Sequence, residues 1–324
     1  MRGWRLLALA AAGAALLGAG RVACAEEVTL KAVTAFAEGT SFSKPFEDFV
    51  AKVNAEGKGV LQINYIGGPK AMPPFEVGNA VKTGIVDIGN VTSAFYNNLL
   101  PEGEALKLAT RTAAEQRQNG AWDFINKLHN EKVNAWYLAR TGDNVPFHLY
   151  LTQAIEKPDL KGLTIRTTPV YRAFFTALGA NLVQTPPGEV YTALERGSVQ
   201  GYGWPIQGIF DLGWQKLTKF RVDPGFYTVE VNVLVNLDRW KKLDDQQREL
   251  LSRNALWLEA ESAKRNPAIN TEEIKRQAEA GIKVIEFKGA DRDLWVKTAD
   301  QAGWDYVKKV APENAEKLHS LLVK

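Results

Sequence analysis

The sequence predicts an α/β protein of two lobes with a cleft between them, and three observations carry that expectation. Strand-like and helix-like patterns alternate along nearly the whole chain. The roughly 300 residues beyond the N-terminal leader exceed what one hydrophobic core usually serves. Finally, the segment from Asp244 to about Gly281 is helical in composition and unusually long, with Pro267 as its expected interruption.

The elements follow in order. Val28, Leu30 and Ala32 alternate with polar residues and read as a first strand. Phe42, Phe46, Phe49 and Val53 then recur three or four apart, the stripe of an amphipathic helix entered through Thr40 or Ser41 with Pro45 in its first turn. Val60 to Ile66 is a second strand, Phe75 to Thr83 a short helix closed by Gly84, and Ile85 to Val91 a third strand. Trp122, Ile125 and Leu128 mark another helix and Val133 to Leu138 a buried strand. Such βαβ alternation implies parallel sheets covered on both faces.

The second lobe is expected to begin near Leu149. Val170, Phe174 and Leu178 share one helical face between Pro169 and Gly179, and Val190 and Leu194 repeat the scheme before Gly197. Val229, Val231, Val233 and Val235, with Glu230, Asn232 and Leu234 between them, form a strong strand that should return the chain to the first lobe. The division expected is 26–148 with 232–272 as one lobe, and 149–231 with 273–324 as the other.

The N-terminus reads as an export signal. Arg2 and Arg5 precede an apolar run from Leu6 to Ala19, and Ala23-Cys24-Ala25 supplies small residues for cleavage. The run is too short for a permanent membrane span. Cleavage after Ala25 would remove Cys24, the sole cysteine. Acylation of Cys24 is the competing reading, disfavoured because Arg21 stands where an acylation site wants an aliphatic residue. The formal net charge of +3 falls to zero once the leader's three arginines are gone. No Lys/Arg cluster is interleaved with aromatics, so nucleic-acid binding has no support.

Arg166 is the residue of greatest interest. It closes a short apolar strand and precedes a run of helix, strand, helix and strand that ends at Trp204 and Pro205. An arginine held between two lobes can grip a carboxylate through two parallel hydrogen bonds. The segment containing it, DLKGLTIRTTPVYRAFFTALGANLVQTPPGEVYTALERGSVQGYGWP (159–205), closely resembles the solute-binding proteins of TRAP transporters, the DctP-type receptors of organic-acid importers. The resemblance implies a periplasmic-binding-protein fold with a long helix bracing both lobes, and a ligand carboxylate on Arg166. It also implies a monomeric receptor that delivers its organic acid to TRAP membrane permease subunits.

The resemblance marks further positions. Trp204 replaces an asparagine that many relatives carry before the proline, as in a subgroup that binds keto or hydroxy acids; a core role is the alternative. Some of that subgroup bind a metal through an acidic residue at the position of Gly203, so a bridging metal is not expected here. Glu76, in PPFEVGNAVKTG, aligns with a position that often faces the cleft, although an exposed glutamate at a helix start fits equally. Phe42 stands where relatives carry a polar residue and could wall an apolar pocket or begin the helical stripe. Tyr96 lies in the loop after the third strand, where open α/β sheets bind ligands.

Phe147, Gln207 and Asn232 are candidates by position alone. Relatives that grip dicarboxylates place a second arginine just before the second lobe; Arg140 is near that place and out of register. The ligand expected is therefore a monocarboxylate, of keto, hydroxy or aromatic type. His148 is a further polar candidate, although a lone histidine is more often structural.

An enzyme finds little support. The mature chain would have no thiol, its three histidines (His129, His148 and His319) are far apart, and neither HExxH, GxSxG, GxGxxG nor a Walker loop is present. No cofactor is expected. A ligand-loaded partner of a sensor kinase would share the same fold and cleft, and a secreted hydrolase is a weaker alternative.

Overall fold

A computed structural model describes residues 27–324; the expected leader lies outside the described residues. The chain first lays down β1 (Val28–Thr34), α1 (Lys44–Glu56), β2 (Leu61–Tyr65), α2 (Val77–Thr83) and β3 (Ile88–Val91). Both β2 and β3 pair parallel with β1. Helix α1 opens at Ser43, not at Thr40 or Ser41, with Pro45 in its first turn. That shift matters for Phe42, which precedes the helix and is free of its core stripe. A short 3-10 segment, Pro101–Leu108, leads to α3 (Ala113–Gln118), α4 (Ala121–Val133) and β4 (Ala135–Thr141).

Residues 142–145 carry the chain across to a second sheet. It contains β5 (Pro146–Leu151), β6 (Thr164–Thr167), α5 (Pro169–Ala177), β7 (Asn181–Gln184), α6 (Val190–Glu195), β8 (Gly201–Pro205) and β9 (Phe220–Thr228) in chain order. Val229 and Glu230 then cross back to β10 (Val231–Asn236), which enters the first sheet antiparallel to both β3 and β4. The strand orders are β2-β1-β3-β10-β4 and, with β11 (Lys283–Glu286) on the edge, β11-β9-β5-β8-β6-β7.

The sheets are therefore mixed, which corrects the expectation of parallel sheets. In each, the strand next to a crossing runs against its neighbours, because a chain that enters from the other lobe arrives from the opposite end. β5 is antiparallel to β8 and β9 for the same reason. The valine-rich run is likewise two pieces: Val229 and Glu230 belong to the crossing, and the strand starts at Val231.

After α7 (Leu237–Lys242), α8 (Asp245–Glu279) makes a third connection. At 1.5 Å per residue its 35 residues reach about 52 Å. A capping box of Asp244 and Gln247 fixes its start. Leu250, Leu251, Ala255 and Leu258 pack into the core beneath the first sheet. Further along, Gln277 donates to the Ile206 carbonyl and accepts from Arg221 in the second lobe.

Of the kink or split expected at Pro267, the split does not occur: the helix is continuous through it. Proline removes a backbone donor there, but side chains on both sides tie the helix to the first crossing. Asn266 donates to the Asp143 carbonyl at 2.8 Å and Asn270 to the Asn144 carbonyl at 2.7 Å. The chain ends with α9 (Gly289–Val310) and α10 (Ala315–Leu322).

Candidate ligand-binding site

Between the sheets lies a small chamber. Phe36, Phe42, Thr92, Phe95 and Val231 wall it from the first lobe, Phe147, Thr168, Tyr171 and Trp204 from the second, and Val229 and Glu230 from the crossing. It measures about 30 Å³, room for a water or two. A wider cleft of about 550 Å³ opens outside it, bounded by Lys70, Pro73, Pro186, Glu189 and Asp211. Phe42 and Trp204 line both spaces and meet edge to face, ring centres 5.9 Å apart. The lobes are thus shut: the Ser41 N–H also reaches across the mouth to Asp211 Oδ2 at 2.8 Å.

Arg166 sits in β6 between β7 and β8, opposite Val183 and Tyr202. It is fully buried. Nε and Nη2 both donate to the Thr185 carbonyl, at 3.1 and 2.6 Å. Of five N–H groups on the guanidinium, that leaves two on Nη1 and one on Nη2. Nη1 has no protein partner. None of the ion pairs among the described residues involves Arg166, and burial lowers its pKa to about 10.

Three more buried polar atoms have no protein partner: the hydroxyls of Thr168 and Thr185 and the indole N–H of Trp204. The Trp204 ring centre is 5.9 Å from the guanidinium carbon. A buried charge without a counter-ion costs several kcal/mol. A cation edge with N–H groups to spare suits an anion. In the shut arrangement Arg166 is not itself on the chamber wall; Thr168, Tyr171 and Trp204 are.

Glu230 was visible in the sequence only as a polar residue inside a valine run, and the structure gives it a larger place. It lines the chamber and is fully buried. Its Oε1 accepts from the Thr92 hydroxyl at 2.5 Å, the Ser93 N–H at 3.0 Å and the Ser93 hydroxyl at 2.6 Å. Oε2 accepts from Asn232 Nδ2 at 2.6 Å and shares the Ser93 N–H at 3.1 Å. Burial raises its pKa to about 7 against the pull of these donors. The available signal was the charge itself, since a carboxylate is out of place in an otherwise apolar strand.

The remaining candidates separate into three groups. Phe42, Phe147 and Trp204 share the chamber wall. Tyr96 and Asn232 stand behind Glu230: Asn232 Nδ2 donates to the Tyr96 hydroxyl and Oδ1 accepts from Tyr137, while Tyr96 bonds His129 Nε2 at 3.0 Å. Gln207 turns away, donating to Asn270 on α8, and Glu76 is exposed and off the chamber wall. His148 is buried against Asp223 and the Val222 carbonyl. At Gly203, a Cβ would meet the Tyr171 ring at 2.7 Å, so an acidic residue has no room there. Among the described residues no group of three His, Cys, Asp or Glu is placed to hold a metal.

Comparisons with known proteins bear on the fold and the family. The family model described as bacterial extracellular solute-binding protein, family 7 (DctP) matches residues 32–309. A monocarboxylate 2-oxoacid-binding periplasmic protein of Nostoc sp. is 28% identical over 254 residues, 74% of this chain and 68% of that protein. Two solved structures share the fold. One is a Bordetella pertussis receptor binding pyroglutamic acid, with a TM-score of 0.81 at 18% identity, covering 91% of this chain and 99% of that one. The other is a marine metagenome TRAP solute-binding protein in complex with 3-hydroxybenzoate, at 0.77 and 22%, covering 92% and 97%. The chain belongs to the family 7 (DctP) bacterial extracellular solute-binding proteins.

Proposed function

We propose that this receptor takes up an organic monocarboxylic acid, whose carboxylate is held on the free Nη1/Nη2 edge of Arg166 with the Trp204 indole N–H beside it. The observation that carries the reading is a fully buried guanidinium with no carboxylate partner and three N–H groups to spare. The other buried arginine near the first crossing, Arg140, is committed to Asp143 and Gln116, so a second carboxylate finds no matching grip there. The aromatic chamber wall suits an apolar or aromatic body. The relatives named above bind 2-oxoacids, pyroglutamic acid and 3-hydroxybenzoate, all monocarboxylic acids.

Binding would proceed by hinge closure. The three connections between the lobes (residues 142–145, Val229–Glu230 and α8) bend to open the chamber, and a ligand touching both lobes favours the shut form by its differential affinity. The mature chain, starting after Ala25, is a periplasmic monomer in this reading and releases its ligand to a membrane permease. No catalysis is required of it.

The test is thermal melting of residues 26–324 against a library of organic acids. A monocarboxylic acid present at 100 times its Kd should raise the melting point by several degrees. Arg166→Ala should abolish that shift while leaving the fold intact, and Arg166→Lys should impair it severely, because an ammonium cannot reproduce the planar fork. A shift of equal size in Arg166→Ala removes the proposal.

A further inference from the structure

The chamber wall itself carries one charged group, on the side of the first lobe. Although Glu230 lies on the crossing segment, every donor that holds it comes from the first lobe: Thr92, Ser93 and Asn232. It has no cationic partner among the described residues, and it lines the chamber together with Thr92. Behind it, the amide of Asn232 is locked by Tyr137 and Tyr96, and Tyr96 by His129. His129 Nδ1 faces the Ile125 carbonyl at 2.8 Å and so carries the proton, which assigns Nε2 as the acceptor of the Tyr96 hydroxyl. This chain of bonds fixes the position of Glu230 against movement.

Its acceptor capacity is not exhausted. Oε1 is crowded by three contacts, but Oε2 receives one short bond from Asn232 and the longer arm of a shared N–H. The Ser93 hydroxyl has one proton and faces two acceptors, Glu230 Oε1 at 2.6 Å and the Gly103 carbonyl at 2.9 Å, so it cannot serve both. A carboxylate with one oxygen under-supplied is a site for a donor.

We propose that Glu230 is the specificity residue for the end of the ligand remote from its carboxylate, accepting a hydrogen bond from a hydroxyl or N–H group. The ligand class is then a monocarboxylic acid bearing a hydrogen-bond donor, such as a hydroxy acid or a lactam acid, held between Arg166 of the second lobe and Glu230 of the first. Acids without a donor add no bond to Oε2, and dicarboxylates bring a second negative charge against it. This rests on the reading of Arg166 as the carboxylate grip.

Calorimetry with matched acids separates the two claims. The probes are benzoate against 3-hydroxybenzoate, propanoate against lactate, and cyclopentanecarboxylate against pyroglutamate, applied to the wild type, Arg166→Ala and Glu230→Gln. The wild type should prefer the donor-bearing member of whichever pair it binds by roughly 10- to 100-fold. Glu230→Gln should shrink that preference to a few-fold while still binding the donor-free acid, and Arg166→Ala should lose both members.

Equal affinity within every bound pair in the wild type overturns the role of Glu230 and leaves the carboxylate grip standing. So does a preference that survives in a Glu230→Gln protein whose melting confirms that it is folded. Unchanged binding in Arg166→Ala, or no binding of any acid, overturns the carboxylate reading and this proposal with it.

Discussion

Arg140 and Arg166 are equally buried, and their surroundings are opposite. Arg140 donates to Asp143 at 2.6 Å and to Gln116 at 3.1 Å, with Glu259 accepting from its backbone N–H. The Asp143 charge keeps its pKa raised despite burial. Arg166 has a single carbonyl as partner, and burial pulls its pKa down. Both arginines stand near a lobe boundary, so neither depth nor position distinguishes structure from function. What does is whether the protein supplies its own anion: Arg140 ties the first crossing, and we propose that Arg166 takes its anion from a guest.

The largest expected effect breaks the structural side of the comparison. Arg140→Ala strands Asp143, whose Oδ2 also caps the Ala113 N–H, and should cost roughly 3–5 kcal/mol of stability in urea melts. Whatever protein remains folded should bind ligand with little change. Arg166→Ala should do the reverse: affinity falls roughly 30- to 1000-fold, about 2–4 kcal/mol, with the melting point of the ligand-free protein unchanged or raised. If Arg140→Ala weakened binding as much as Arg166→Ala did, the division of roles would fail.

A pH series sharpens the comparison from the acidic side. The pKa of Glu230 is raised from 4.5 to about 7 on folding, chiefly by burial. The folded state therefore holds the proton more tightly, so this group's contribution is most favourable below pH 4.5 and is lost as pH rises through 7. The loss is roughly 3 kcal/mol at most. The stability of Glu230→Gln relative to wild type should thus improve between pH 5 and pH 8, and parallel pH profiles would contradict this. The smallest effect belongs to the mouth of the cleft. Asp211→Ala removes the bond to the Ser41 N–H and should weaken ligand binding only a few-fold, mostly by faster release, in stopped-flow traces.

Local pattern carried most of the fold. The helix over 169–177, the turn at Gly84 and the long helix α8 follow from proline, glycine and apolar spacing that act within a few residues. The direction of β5 and β10 did not, because strand polarity is set by where the chain re-enters a sheet, a non-local fact. The same limit applies to the site. The surroundings of Arg166 were readable because they form one contiguous segment, whereas Glu230 gains its meaning from Ser93, 137 residues away. Asn232 and Tyr96 sit next to the site in space, yet their polar groups are spent on Glu230 and His129. Gln207 shows the converse: close to Trp204 in sequence, it points to α8.

The most direct measurement is a crystal structure of residues 26–324 with the tightest-binding acid from the library. The account predicts the ligand carboxylate about 2.8 Å from both Nη1 and Nη2 of Arg166, with the Thr185 carbonyl still on the opposite edge of the guanidinium. An acid seated elsewhere, with Nη1 of Arg166 making no contact to it, would contradict the account.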